Sequence, residues 1–232
     1  MIAITFALPA ESSAFRARLT SPTNDRHSTA FNGQIHGQRV AILHTGVGDR
    51  VAAPRVNAFL EGNDLRCLIS AGFAGALDSD LSVGDIVISR NFSHPQLLDL
   101  ARRSIGGPVH SGQVVNTSRV VEFALDRRQL AERTGAIAVD METESIARLC
   151  AARHLPMLSL RAISDTAVAP FPAPAEILFD IDIQRTPYLL LARHLLRHPD
   201  TAGRLIRFSR QIAHARMSLA NALSAVLQNL PA

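Results

Sequence analysis

Along the first two thirds of the chain, apolar residues come in short unbroken runs, each closed by a glycine, a proline or an acid. Residues 2–8, IAITFAL, stop at Pro9, and residues 39–45, RVAILHT, stop at the glycines of GVG. RCLISAG (66–72) and VGDIVISR (83–90) are two more such runs. Segments of this length that are apolar on both faces predict parallel strands buried between helices. Between them the spacing turns helical. ESSAFRARL puts Ala14, Phe15 and Leu19 on one side, and a second helix is expected from about Asp49 to Leu60. Strands at 135–140 and 157–163 flank a helix from about 142 to 153. SIGGPVHSG (104–112) predicts a loop, and the proline-rich APFPAPAE after Asp165 predicts a linker.

The tail, about 186–229, reads as a helical extension interrupted near HPD. Strands alternating with helices predict one α/β domain spanning residues 1–232: three layers, α/β/α, around a mixed central sheet.

Composition narrows this picture. Hydrophobic residues are 47% of the 232, aromatics 5%, and there is no Trp, so the core must be built from Ala, Val, Leu and Ile. Cys67 and Cys150 sit in apolar runs and read as reduced core thiols. No apolar run approaches the roughly 20 residues that span a bilayer. The start, MIAITFALPAES, lacks the basic region of a signal peptide, so a cytoplasmic protein is expected. The net charge of +4 suits anionic partners.

Ligands of open α/β sheets bind beyond the carboxyl ends of strands. Here those ends carry Pro9 to Glu11, TGVG, AGFAG, DMETE and ISD, and three of the five contain acids. In AVDMETESIARL (138–149), Asp140, Glu142 and Glu144 alternate, which on a strand would aim all three one way. A helix N-terminus, which favours negative charge, accounts for Glu144 more simply.

HTGVGDRVAA, ISAGFAGALDSDLSVGDIVIS, AVDMETESIARLCAARHLPMLSLRAISD and the early ALPAES stand in an order that resembles the purine nucleoside phosphorylase and nucleosidase superfamily. The resemblance covers roughly residues 2 to 166 and is greatest to nucleosidases acting on methylthioadenosine and S-adenosylhomocysteine. It implies that Asp165, preceded by Ser164, protonates N7 of the leaving purine, because a purine departs poorly as an anion. It implies that Glu142 holds the ribose hydroxyls close to the positive charge that builds on the sugar. Met141 would pack on the sugar, and Glu11 would orient the attacking water. Asp140 falls where many relatives have Glu, and its role stays open.

Two departures bear on the reaction. In SAGFAGA, Phe73 follows Gly72 where relatives carry a serine that in phosphorylases helps to bind phosphate, and a phenyl ring donates no hydrogen bond. The N-terminal stretch also lacks the glycine-plus-arginine pattern used for phosphate, with Arg16 the nearest cation. Hydrolysis is therefore expected over phosphorolysis, with a phosphorylase and a non-catalytic nucleoside-binding relative as the alternatives. In SGQVVNTSR, Val115 and Asn116 match the place where relatives stack an aromatic on the base.

No cofactor or metal is expected: there is no HExxH, Cys/His cluster, phosphate-binding loop or dinucleotide fingerprint. The tail places Leu205, Phe208, Ile212 and Leu219 at helical spacing with Arg204, Arg207, Arg210 and Arg216 among them. It is either a packed helix with a solvated basic face or one that meets an anionic membrane surface. No stacking aromatics accompany the arginines, which argues against nucleic acid. With ALPAE, the tail is similar to the hopanoid-associated branch of the superfamily, whose implied substrate is an adenosyl lipid such as adenosylhopane. The resemblance also implies a homo-oligomer, since relatives often complete the pocket with a neighbouring subunit.

Overall fold

In the computed structural model, residues 1–24, 30–168 and 171–231 are described. The chain runs β1 (Ile2–Phe6), α1 (Pro9–Arg16), β2 (Thr20–Asn24), β3 (Ala30–Ile35), β4 (Gln38–His44), α2 (Asp49–Glu61) and β5 (Cys67–Ala76). It continues through β6 (Ile86–Ser89), α3 (Pro95–Ser104), β7 (Val109–Gly112), β8 (Val114–Asn116), α4 (Ala124–Thr134) and β9 (Ala138–Asp140). Then follow α5 (Thr143–Ala151), β10 (Met157–Asp165), α6 (Ala175–Leu178), α7 (Tyr188–Arg197) and α8 (Thr201–Asn229).

The apolar runs 2–8, 39–45, 66–72 and 157–163 become the centre of one mixed sheet, ordered β2-β3-β4-β1-β5-β10-β6-β7. β1, β4, β5 and β10 pair in parallel, while β6 is antiparallel to β10. Residues alternate between the two faces, as the pleat demands. Ile2, Ile4, Ile69 and Leu160 pack with buried residues of α8, and Ala3, Leu68 and Met157 pack with Val56 of α2 and Ile146 of α5. Helices thus cover both faces, giving the three-layer α/β/α arrangement.

Several segments differ from the expectation. Thr20–Asn24 and Ala30–Ile35 form the antiparallel pair β2–β3 at one margin of the sheet, although Pro22, Asn32 and Gly33 break any apolar run there. The stretch 104–112 is only half loop, since Val109–Gly112 pairs in parallel with β6. The strand expected from 135 begins at Ala138, because Gly135 takes a left-handed turn (φ 66°) that ends α4. The segment after Asp165 is more than a linker: Phe171 and Ala175 to Ile181 fold back over the sheet, while Ala169 and Pro170 lie outside the described residues.

One feature of the sheet opens a site. β5 is ten residues long and changes partners along its length. Its Cys67–Ser70 half pairs with β1, and at Gly75 and Ala76 it pairs with β9 instead. The sheet forks between these pairings, beside the carboxyl ends of β1, β9 and β10.

Candidate active site

A cavity of about 360 Å³ fills the fork, a size that suits a small organic ligand. Its wall brings together Glu11, Asp140, Glu142 and Asp165, residues far apart in the chain. Phe73, Met141 and Ser164 line it too. Gly72 stands directly behind Glu11: a Cβ there would come within 3.2 Å of Glu11 Oε1, so a larger residue would crowd the carboxylate.

Glu11 sits in the first turn of α1, yet it is buried. Its Oε2 accepts the Leu8 N–H and its Oε1 accepts the Phe73 N–H, both at 2.9 Å. Burial pushes its pKa above the ordinary carboxylate value, while these two amides and Arg161 pull the other way. The result is a fixed carboxylate that gains readily from taking up a proton.

Glu142 is the N-cap residue of α5, just past the end of β9. Its Oε1 accepts the Gly48 N–H at 2.6 Å, from a glycine whose φ of 85° turns the amide toward the site. Burial raises its pKa to about 8, with the neighbouring Asp140 adding to the shift. Glu144, two residues on in the first turn of α5, is exposed. The alternation of acids in the sequence therefore splits because the strand ends at Asp140.

Asp140 turns to the protein. Arg161 Nε donates to its Oδ2 at 2.7 Å, and Thr143 Oγ1 donates to the same oxygen. Arg161 Nη1 and Nη2 also reach Ser70 O and Ser70 Oγ, at 2.7 and 2.8 Å. This buried network joins β9, β10 and β5 and fixes the start of α5, from which Glu142 projects.

Asp165 closes β10, where the register with β5 shifts between Ile163 and Asp165. A bulge of this kind re-aims a side chain. Ser164 Oγ donates to Asp165 Oδ1 at 2.5 Å. Arg127 Nη2 lies 2.5 Å from Oδ2 as an ion pair. Burial raises the Asp165 pKa; Arg127 and the Ser164 hydroxyl oppose that.

Arg127 was not anticipated. It lies in ALDRRQLAERT, a helix without an apolar stripe, where an arginine reads as part of a solvated face. In the fold it is about 1% exposed and lines the cavity.

Val115 and Asn116 stand apart from the cavity wall. β8 pairs in parallel with β9, which turns Val115 against Leu77, Leu130 and Val139 and lets Asn116 Nδ2 donate to Asp49 Oδ2 at 3.1 Å. The apolar wall comes from Val120, Val121, Phe171, Leu178, Phe179 and Ile181, with Phe208 and Ile212 of α8. Arg16 is not part of the site: its guanidinium lies 3.7 Å from the centre of the Phe31 ring.

A forked α/β sheet thus sets four acids at its strand ends beside a cavity with an apolar wall. The family model described as the phosphorylase superfamily matches residues 1–94 and 90–186, and the chain belongs to that family. It is 29% identical over 195 residues to a 5′-methylthioadenosine/S-adenosylhomocysteine nucleosidase of Haemophilus influenzae, covering 71% of this chain and 85% of that protein. A nucleosidase of the same description from Staphylococcus haemolyticus is 27% identical over 199 residues, covering 72% of this chain and 87% of that one. Among solved structures, the fold matches the Neisseria meningitidis nucleosidase in complex with methylthio-immucillin-A, with a TM-score of 0.74, 21% identity and 99% of each chain covered. It also matches native futalosine hydrolase of Helicobacter pylori, with a TM-score of 0.72, 16% identity, and 99% and 97% covered.

Proposed function

We propose that the protein hydrolyses the N-glycosidic bond of an adenine nucleoside and releases the base. The observation that carries this reading is the convergence of Glu11, Glu142 and Asp165, three buried carboxyls from separate strand ends, on one cavity. The similarity to methylthioadenosine/S-adenosylhomocysteine nucleosidases supports the substrate class.

In the reaction, the C1′–N9 bonding pair goes to the purine as N7 takes the proton of Asp165, so the base leaves neutral. Glu142 holds the ribose hydroxyls and faces the charge that develops on the sugar. Glu11 takes a proton from the water that adds to C1′. The raised pKa of Asp165 suits a donor, and the amides on Glu11 hold an acceptor in place. Water rather than phosphate is the acceptor of the ribosyl group. Both arginines near the acids are already occupied, Arg127 by Asp165 and Arg161 by Asp140, and Phe73 supplies only its backbone amide.

The test is adenine release from methylthioadenosine, S-adenosylhomocysteine and an adenosyl lipid, each with and without phosphate. Equal rates and the free 5′-substituted ribose as product support hydrolysis; phosphate dependence with the 5′-substituted ribose 1-phosphate as product overturns it. Asp165→Asn is expected to lower turnover by roughly 10²–10⁴-fold while nucleoside affinity persists. Tight nucleoside binding with no base release from any of the three compounds would mark a non-catalytic relative.

The apolar wall favours a second, finer reading: the 5′ substituent is a hydrocarbon, as in an adenosyl lipid such as adenosylhopane of hopanoid biosynthesis. Phe208 and Ile212 connect this wall to a tail that would touch an anionic membrane peripherally. Among the described residues, no helix is long and apolar enough to cross a membrane. Self-association into a dimer or higher oligomer belongs to the same reading. It is supported by Phe123 and Leu125, 69% and 65% exposed beside the cavity residues Val120 and Val121, and sedimentation velocity tests it.

A further inference from the structure

Arg127 is built in with more care than a passing ion pair requires. Nε donates to Val121 O at 2.9 Å, and Nη1 donates to Ala76 O at 3.2 Å and to Thr166 O at 3.3 Å. Three separate segments thus hold the guanidinium, and Nη2 is left for Asp165. β5 is cut away to admit it: a Cβ at Gly75 would lie 2.9 Å from Nη1, 3.0 Å from Nη2 and 3.1 Å from Cζ. Gly75 is also the residue paired with Asp165 across the sheet. Asp165 Oδ2 has no polar partner other than Arg127 among the described residues, and Nη2 lies 2.5 Å from it.

A cation fixed in this way stabilises the carboxylate that remains after proton transfer and has no influence on the protonated acid of comparable size. It therefore makes Asp165 a stronger acid than its burial would allow. We propose that Arg127 is the positioning residue that sets the acid strength of Asp165 for departure of the base, and that Gly75 exists to seat it. This rests on reading Asp165 as the general acid. The other charged groups around the site are Glu11 from α1, and Asp140 and Glu142 from β9 and its end. Arg161, on the same strand as Asp165, is taken up by Asp140. Arg127 is thus the one cation facing Asp165 among the described residues.

The experiment titrates Asp165 directly by carboxyl ¹³C NMR of aspartate-labelled protein, its signal assigned by its loss in Asp165→Asn. pH–rate profiles for methylthioadenosine are measured in parallel. Arg127→Met is expected to move the Asp165 titration, and with it the alkaline limb of kcat, upward by about one pH unit or more. A weaker acid yields its proton less readily, so the plateau kcat falls about tenfold while KM changes little. Arg127→Lys retains the charge and should restore most of both. Gly75→Ala, which leaves Arg127 in the chain but unseats it, should shift both readouts in the same direction as Arg127→Met, and it answers the question should Arg127→Met not fold. An unmoved Asp165 titration in Arg127→Met or Gly75→Ala overturns the proposal. Undiminished turnover in Asp165→Asn would instead sink the underlying reading of Asp165, whatever the arginine variants do.

Discussion

The Gly48 amide donates to Glu142 Oε1 across 2.6 Å, tying the glycine turn after β4 to the N-cap residue of α5. This bond favours the carboxylate, yet burial and Asp140 prevail and hold the Glu142 pKa at about 8. The folded protein therefore binds this proton more tightly than the unfolded chain does. Stability contributed at Glu142 is complete below the ordinary value of 4.5, falls as pH rises from there to about 8, and levels off above that. Glu142→Gln removes the charge and with it the penalty. At pH 5 its Tm should match the wild type, and at pH 9 it should exceed it by roughly 4–8 °C, if about 2 kcal/mol is released. Its kcat should fall by about 10²-fold, since a neutral amide opposes charge on the sugar less effectively. Scanning calorimetry at both pH values checks the first half; a wild type more stable at pH 9 would contradict it.

Asp140 and Arg161 form a different kind of pair, 2.7 Å apart and almost fully buried, with Thr143 and Ser70 completing the network. Arg161→Met strands a buried carboxylate and should cost about 3–5 kcal/mol in urea unfolding. Replacing both partners, as in Asp140→Leu with Arg161→Met, should recover a large part of that loss. A double variant as unstable as the single one would mean that the pair is worth more than its desolvation penalty.

The acids of the site were legible because each sits where an apolar run ends, and a strand end in an α/β sheet is where a ligand goes. Glu11, Glu142 and Asp165 all satisfy that rule. The rest of the site depends on packing that leaves no periodic trace. Arg127 lies in a polar helix with one buried apolar residue, Leu130, so nothing in its spacing separates it from a surface arginine. Val115 and Asn116 sit in a three-residue strand whose facing is set by β9, a partner twenty-odd residues away. The prolines of 170–174 read as a linker, although Phe171, Phe179 and Ile181 supplied an apolar signal that fits a wall better than a tether. The edge strand β2 and its neighbour β3 escaped notice because strands at a sheet margin need not be apolar on either face.

Gln184 offers a way to disturb the site without touching an acid. Its Oε1 accepts the Val47 N–H at 2.8 Å, and its Nε2 donates to Val47 O at 2.9 Å and to Ile181 O at 2.6 Å. One side chain thus clamps the segment after α6 onto the turn that presents the Gly48 amide. Gln184→Ala should raise KM for methylthioadenosine about tenfold and lower Tm by only about 2–4 °C, the cost of a net hydrogen bond or so. Loss confined to kcat would assign the clamp to catalysis rather than to substrate capture.

The tail poses the question of what covers α7. None of its ten residues is buried, and Leu189 and Leu196 are 88% and 86% exposed, with Tyr188 and Leu190 beside them. From residue 183 onward the chain carries seven arginines and one acid, Asp200, which is itself paired with Arg204 at 3.1 Å. A second copy of this face would set arginine against arginine, whereas an anionic bilayer offers charge to the arginines and hydrocarbon to the leucines. The wild type should therefore float with vesicles containing phosphatidylglycerol, bind pure phosphatidylcholine weakly, and be released as salt shortens the screening length. Leu189→Glu with Leu196→Glu should lose roughly 10²–10⁴-fold in vesicle affinity, on the order of 1.5–3 kcal/mol for each leucine no longer buried. Turnover of methylthioadenosine, which needs no membrane, should stay unchanged in that variant. Equal binding to neutral and anionic vesicles would leave the arginines as a solvated face, and binding to neither would remove the membrane as the cover of α7.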